Sequence, residues 1–211
     1  MIQQRLLDVA VREFGAKGLD GASTRSIAAQ AGAAMSSITY HYGSKEGLYL
    51  AAADYVAGQL GGVADDDRLG AAIEAGDSAE ARRCVHLLLG GLLARMFEGQ
   101  ADNWALFIMR EQMNPTEAFE RIYAGPMGRN ADALVDLICV VAGTKDRRAA
   151  QLAAIALFGQ VLIVKAGRAT CHKILERETL GRDIIQSYSD HVAANTDTIL
   201  DRMIAEREEQ A

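Results

Sequence analysis

Apolar side chains recur every three or four residues along most of this chain, a spacing that predicts α-helices rather than strands. Near the start the predicted helices are short, because glycines interrupt the pattern at close intervals. Four apolar residues mark the buried side of the first helix: Leu6, Val9, Ala10 and Phe14. Gly15 and Gly18 then end it.

Three further short helices are predicted before residue 60. Ser23 or Thr24 is placed to cap the second helix, and Gly32 breaks it. The third runs from about residue 34 to residue 41. Ser44 caps the fourth, whose first turn carries an acidic residue that the helix dipole favours, and whose buried face is marked by Leu48, Ala52 and Tyr55.

The joint near residue 61 is the clearest break in the pattern. Gly61 and Gly62 are followed by the run "ADDDRLG" over residues 64–70, in which three consecutive aspartates favour an exposed connector. This joint divides the chain into a first domain, residues 1–60, and a second, residues 61–211.

The second predicted domain is also helical. A helix opens at Ser78, another covers residues 101–113, and Pro115 separates it from the next. The pattern then predicts helices over about residues 130–142, 146–167, 169–177 and 182–208. The whole chain is therefore predicted to be all-α.

Charge is distributed unevenly between these parts. The net charge is −6, yet residues 1–50 hold five basic and four acidic side chains, which leaves 17 basic and 24 acidic side chains for the remainder. The acidity belongs to the second domain. Any DNA binding by the first domain must therefore depend on a few well-placed contacts rather than on a broad basic surface.

Several classes of site and location are disfavoured. Cys84, Cys139 and Cys171 lie far apart and do not cluster with histidines, so no metal site or cofactor is predicted and reduced thiols in a cytoplasmic protein are the simpler interpretation. No signal peptide is visible. The longest apolar run, residues 152–164, is too short to span a bilayer, so no membrane partner is expected.

The segment "MSSITYHYGSKEG", residues 35–47, is unusually polar and lies between two Ala-rich helices. Two short helices joined at Gly32 have the form of a helix-turn-helix, whose second helix enters the DNA major groove. Short hydroxyls at Ser36, Ser37 and Thr39 can bond base edges and phosphates without the desolvation cost of charge, and Tyr40 and His41 can reach phosphates or thymine methyls.

The stretch "STRSIAAQAGAAMSSITYHYGSKEGLYLAAADYV" resembles the N-terminal domain of TetR-family transcriptional regulators. Eleven residues match its pattern: Thr24, Ile27, Ala28, Ala31, Gly32, Tyr40, Tyr42, Ser44, Lys45, Glu46 and Leu48. The resemblance covers about residues 2–58. Ala34 departs from the capping Ser that is usual in the family, and Gly43 stands where Pro is common.

The resemblance implies the architecture and several site residues. It implies a three-helix helix-turn-helix DNA-binding domain followed by a larger helical ligand-binding and dimerisation domain. It also implies phosphate contacts by Thr24, Arg25, Tyr40 and Lys45, so that the predicted DNA-binding set combines these with Ser36, Ser37, Thr39 and His41. The expected partners are double-stranded DNA with a pseudo-palindromic operator, an unknown small-molecule effector, and a second copy of the chain.

Aromatic and charged residues in the middle of the chain are candidates for the effector pocket. The predicted ligand-binding residues are Trp104, Phe107, Arg110, Glu111, Phe119 and Tyr123, although plain core packing explains each of the apolar ones as well. The last two long helices are the best candidates for the dimer contact, since small residues such as Ala156 and Gly159 allow close helix approach.

The function that these features predict is a ligand-responsive repressor released from its operator by a small molecule. A transcriptional activator with the same fold is the first alternative, because sequence does not separate the two. An all-helical enzyme is the second. It is disfavoured, since no nucleophile elbow, phosphate loop or useful carboxylate pair is present, and no catalytic residue is predicted.

Overall fold

The computed structural model describes residues 2–61, 66–98 and 101–210, excluding the side chains of residues 101–103 and 210. These residues form helices and short connections, with no strand among them, which confirms the all-α prediction. The helices are α1 (Ile2–Gly21), α2 (Thr24–Ala31), α3 (Met35–Tyr42), α4 (Lys45–Gln59), α5 (Asp66–Ala75), α6 (Ser78–Phe97), α7 (Ala101–Met113), α8 (Glu117–Ile122), α9 (Gly128–Ala142), α10 (Arg147–Ala166), α11 (Arg168–Ile174) and α12 (Arg182–Gln210). A π-helical turn, Tyr123–Met127, joins α8 to α9.

Packing divides the chain into two compact units. The first unit combines Met1–Gly61 with Gly99–Arg129, and the second combines Gly62–Glu98 with Asn130–Ala211. The first unit therefore contains α7 and α8 beside the four N-terminal helices. The predicted functional boundary at residue 60 stays a prediction, since a division by packing does not assign functions.

The first helix extends further than its glycines predict. It passes through Gly15 without interruption and changes direction only at Gly18, where φ is +74°. Gly15 lies where α1 meets α7, and a Cβ on it would sit 3.0 Å from the backbone nitrogen of Phe107. This glycine serves close helix approach rather than helix termination.

The predicted caps of the short helices are present. Ser23 is the N-cap of α2, where its hydroxyl accepts from the backbone N–H of Ser26 at 3.4 Å. Ser44 caps α4 by accepting from the N–H of Gly47 at 3.1 Å. Ala34 stands at the N-cap of α3 and makes no side-chain bond there, as its methyl group requires.

A single apolar cluster fills the first unit. It draws buried side chains from every helix of the unit, including Leu6, Phe14, Ile27, Ile38, Leu48, Phe107 and Ile122. The rings of Phe14 and Phe107 both contact Tyr49, each with its centroid 4.9 Å from that of the tyrosine. Helix α4 is thus held on its inner side by aromatic residues of α1 and α7.

One carboxylate is enclosed in this unit. Glu111 on α7 is 1% exposed, and both of its oxygens accept hydrogen bonds. One oxygen accepts from the hydroxyl of Tyr49 on α4. The other accepts from the N–H and the hydroxyl of Thr116, at 3.0 and 2.9 Å, and from the N–H of Phe119 at 3.1 Å. Glu111 therefore ties α4 to the first turn of α8.

The predicted connector after residue 61 is partly wrong. Residues 62–65, including Gly62, Ala64 and Asp65, lie outside the described residues. The rest of the run is helical, because Asp66 and Asp67 form the first turn of α5. Acidic side chains are favoured at a helix N-terminus, so the same charges that suggested a loop are compatible with the start of a helix.

The second unit packs α6 against α5, α10 and α12. Helix α6 begins at Ser78 as predicted, with Asp77 as its N-cap, and Asp146 caps α10. Arg82 on α6 pairs with Asp197 of α12 at 2.7 Å, and His86 reaches the same carboxylate at 3.0 Å. Burial acts to raise the pKa of Asp197, but the hydrogen bonds from His86 and Arg82 outweigh it and lower the pKa.

Helix α10 is the most apolar long helix of the described residues. By length and composition alone this 20-residue helix could cross a membrane, although the uninterrupted apolar run within it, residues 152–164, is too short to do so. A third of its most apolar 18-residue window is buried within the second unit. Four large apolar side chains on it stay exposed: Leu152, Ile155, Leu162 and Ile163.

We expect Glu111→Ala to lower the free energy of unfolding by about 2 kcal/mol or more, because it leaves the buried hydroxyl of Tyr49 and the N–H groups and hydroxyl at the start of α8 without their acceptor. Met113→Ala is the matched control, since that methionine lies on the same helix and is 78% exposed. Urea unfolding followed by circular dichroism measures both. A Glu111→Ala variant as stable as the control would contradict the structural role of this carboxylate.

Candidate DNA-binding surface

The second and third helices form a helix-turn-helix. Gly32 ends α2 with φ +64° and ψ 34°, a left-handed conformation that favours glycine, and the N–H of Ala33 returns to the carbonyl of Ala28 at 2.9 Å. Ile27, Ala28 and Ile38 are buried where the two helices pack on the unit's core. The turn glycine predicted from sequence is therefore confirmed.

Helix α3 exposes five of its eight side chains. Within this helix, all of which the structure describes, Ile38 alone is buried. Tyr40 is 84% exposed. Ser36, Thr39 and His41 are also exposed, and Ser37 is half-buried. Tyr42 packs partly against the core beside Ile38. An uncharged helix held in this way, which offers hydroxyls, a phenol and an imidazole to solvent, has the arrangement of a base-reading element.

The helix starts beside α3 carry the remaining predicted contacts. Thr24 and Arg25 form the first turn of α2, where Thr24 is half-buried and Arg25 exposed. Lys45 opens α4 and donates from Nζ to the carbonyl of Asp20 at 3.0 Å. An ammonium group has three N–H donors, so this bond anchors the side chain and leaves two donors available to a phosphate.

The structure adds two α1 residues to this surface. The Nε2 of Gln3 lies 3.0 Å from the Nδ1 of His41 on α3. The guanidinium of Arg5 lies over the turn between α2 and α3, with Nη2 3.0 Å from the point that a Cβ on Gly32 would occupy. No sequence signal marks either residue, because the contacts join positions that are far apart in the chain.

The six predicted ligand residues all belong to the first compact unit. Phe107 is fully buried in its apolar cluster, and the oxygens of Glu111 are occupied by protein donors. Arg110 donates to the carbonyls of Gly15 and Ala16 at 3.3 and 3.2 Å, near the end of α1. These three side chains therefore have roles within the fold, and for Phe107 that role is the core packing that the sequence left open as an alternative.

The other three are more accessible. Trp104 is half-buried against the cluster, and Tyr123 is 43% exposed and stacks on Phe119 with ring centroids 5.8 Å apart. Two surface cavities of about 550 and 240 Å³ lie elsewhere, in the second unit. The assignment of these aromatic residues to an effector pocket stays a prediction.

Sites for metal chemistry are absent from the described part of the chain, where no three His, Cys, Asp or Glu residues come together in a way that could hold an ion. Burial raises the pKa of the Cys84 and Cys139 thiols, which favours the unreactive protonated form.

Comparison with known proteins agrees with this architecture. Residues 6–52 match the bacterial regulatory proteins of the tetR family, and residues 77–203 match the C-terminal domain of the HTH-type transcriptional dual regulator CecR. The CecR protein of Shigella flexneri is 32% identical over 175 residues, which cover 80% of this chain and 77% of that protein.

Solved structures share the fold at lower identity. AibR, in complex with isovaleryl coenzyme A and operator DNA, aligns with a TM-score of 0.63 and 15% identity over 92% of this chain and 96% of that one. A transcriptional regulator of Pseudomonas aeruginosa PAO1 aligns with a TM-score of 0.60 and 21% identity over 95% and 93% of the two chains. From its two sequence matches and its helix-turn-helix, this chain belongs to the TetR family of transcriptional regulators, with a CecR-type C-terminal domain.

Proposed function

We propose that this regulator acts as a homodimeric repressor that binds a pseudo-palindromic operator and leaves it when a small-molecule effector binds. The observation that carries the proposal is the exposed, uncharged face of α3, opposite the buried Ile38 and the partly buried Tyr42 that hold the helix on the core. Base contacts come from Ser36, Ser37 and Thr39, and the remaining predicted residues position the helix on the backbone: Thr24, Arg25, Tyr40, His41 and Lys45.

Low charge at this surface supports a dimer. Few phosphate-neutralising side chains give each half-site weak affinity, and two linked copies multiply their contributions. The exposed apolar residues of α10 supply a self-complementary surface, which an isologous interface requires. A shallow groove of about 240 Å³ between α10 and α12 lies on this face and could receive side chains of a second copy. Its walls include Leu152, Ala156, Ile199 and Met203.

The effector is proposed to act on the spacing of the two recognition helices. A ligand that binds one conformation more tightly shifts the population toward it, and operator affinity falls when that conformation misaligns the half-sites. AibR, which shares the fold, is known in complex with isovaleryl coenzyme A and operator DNA. Trp104, Phe119 and Tyr123 are the proposed ligand contacts, because Phe107, Arg110 and Glu111 are engaged within the protein.

Activation is the second candidate function. The relative from Shigella flexneri is named a dual regulator, which favours a protein able to act in either direction. The two functions differ in where the operator lies, since a repressor site overlaps the promoter and an activator site lies upstream of it. Because this chain belongs to a family of DNA-binding regulators, an enzyme is the least supported of the candidate functions.

Selection of bound sequences from genomic DNA should yield a pseudo-palindrome for the wild-type protein. We expect Tyr40→Ala and Lys45→Ala each to weaken operator binding by about tenfold, the loss of about 1.4 kcal/mol in contact energy. Lys45→Ala should weaken binding to all DNA sequences equally and reduce by about 1 the slope of log affinity against log salt concentration. Ser37→Ala should instead relax the preference for particular bases.

Lys173→Ala is the control for these variants, because it removes the same charge from exposed α11. Fluorescence anisotropy at several salt concentrations measures affinity and slope together. Binding of the wild-type protein without sequence preference, or variants that bind as tightly as the control, would remove the basis for the proposal.

Replacing Ile155 by Lys should dissociate the dimer. This isoleucine is 67% exposed in the single chain, so a charge there leaves the fold intact and disrupts only a surface that another copy covers. Leu87→Lys on α6 is the control, at 46% exposed. Sedimentation velocity should give a molecular mass of twice 22.7 kDa for the wild-type and control proteins, and a smaller mass for Ile155→Lys. A dimeric Ile155→Lys protein would place the interface elsewhere.

Repeating the DNA selection with metabolite pools should identify the effector. A ligand that raises the melting temperature binds the folded protein, and we expect it to lower operator affinity by about tenfold or more, because the proposed effector favours the conformation that misaligns the half-sites. Trp104→Ala should reduce that response without changing operator affinity in the absence of ligand. A ligand that stabilises the protein and leaves DNA binding unchanged would argue against release by an effector.

A further inference from the structure

We propose that Gln3 is a positioning residue for operator recognition, acting through His41. Its side-chain amide sets which ring nitrogen of His41 carries the proton, so that the Nε2–H of the imidazole donates to an acceptor on DNA. The inference deepens the proposed function and rests on it. Its starting point is the 3.0 Å contact between Gln3 Nε2 and His41 Nδ1.

The chemistry of the contact favours one tautomer of His41. An amide nitrogen carries two hydrogens and no acceptor lone pair, so Gln3 Nε2 can only donate. His41 Nδ1 must then accept, and a neutral imidazole that accepts at Nδ1 carries its hydrogen on Nε2. The nitrogen that remains free for DNA is therefore a donor in the neutral ring.

The contact also fixes where the ring lies. Gln3 belongs to α1 and His41 to α3, 38 residues further along the chain. The ring of Tyr40 meets that of His41 edge to face, with centroids 4.9 Å apart and an interplanar angle of 79°. An exposed histidine held from two sides loses less rotamer freedom when it binds, which preserves affinity.

The acceptor on DNA is an oxygen or nitrogen lone pair, present on phosphates and on purine edges in the major groove. The two sources separate experimentally. Loss of a phosphate contact weakens operator and unrelated DNA by the same factor, whereas loss of a base contact weakens the operator alone. Either result is compatible with the role of Gln3, because the amide acts on the ring and not on its partner.

The test combines a spectroscopic signature with a double-mutant cycle. Two-bond ¹H–¹⁵N spectra of the histidine rings report the tautomer directly, with the His41 signals assigned by their loss in His41→Ala. We expect the Nε2–H form in wild-type protein and its loss in Gln3→Glu, whose carboxylate only accepts and so favours a hydrogen on Nδ1. The signals of His86, His172 and His191 should not change.

In the cycle, Gln3→Leu should weaken operator binding by about three- to tenfold, the range of one hydrogen bond. Gln3→Leu should have no effect in a His41→Ala background, because the imidazole that Gln3 positions is then absent. Gln4→Leu is the control. Gln4 is the exposed neighbour, and it hydrogen-bonds Tyr55 instead. The Gln4→Leu and Gln3→Leu variants should have the same melting temperature.

Additive effects of the two changes, or a His41 ring with its hydrogen on Nδ1 in the wild-type protein, would overturn the role of Gln3 while leaving the proposed function in place. Absence of any selective DNA binding by the wild-type protein would overturn the proposed function, and the role of Gln3 with it.

Discussion

The carboxylate of Glu111 is the interaction on which the first compact unit depends. It lies out of water on α7, and its hydrogen bonds reach a tyrosine of α4 and the first turn of α8. A buried charge is tolerated only when its environment supplies donors, and here those donors are backbone N–H groups at a helix start together with two hydroxyls. Burial and the bond to Glu111 both raise the pKa of Tyr49, so the phenol stays protonated and remains a donor.

Helix α4 transmits this constraint to the DNA-binding surface. Tyr49 contacts Phe14 of α1 and Phe107 of α7, and Tyr55 further along α4 donates to Asp8 of α1 at 2.7 Å. Arg121 of α8 pairs with Asp54 on the outer side of α4 at 2.9 Å. The recognition helix has one fully buried side chain, Ile38, and one that packs partly against the core, Tyr42, so its orientation also depends on these neighbours. Recognition of bases by hydrogen bonds requires side chains held in a fixed position, and the packing of α4 against α1, α7 and α8 provides a rigid support for α3.

Local sequence signals predicted the parts of the molecule that local chemistry determines. Ser23, Gly32, Ser44 and Asp146 lie at helix ends where backbone groups need partners, and such needs can be recognised within a few residues. The acidic run at residues 66–67 was misjudged because aspartates favour both loops and helix starts. Contacts between distant positions could not be predicted from one sequence. The approach of Gln3 to His41, the bond from Tyr49 to Glu111 and the carbonyl partners of Arg110 all belong to that class.

The pairing of Met1–Gly61 with Gly99–Arg129 also has a consequence for the order of events during synthesis. When residue 61 leaves the ribosome, the inner side of α4 still lacks Phe107 and the carboxylate that its tyrosine bonds. The aromatic faces of Phe14 and Tyr49 stay uncovered until the chain has grown past α8, with all of α5 and α6 made in between. The first unit is therefore incomplete while residues 62–129 are made, about a third of the chain, and the helix-turn-helix gains its full support only after that segment has been made.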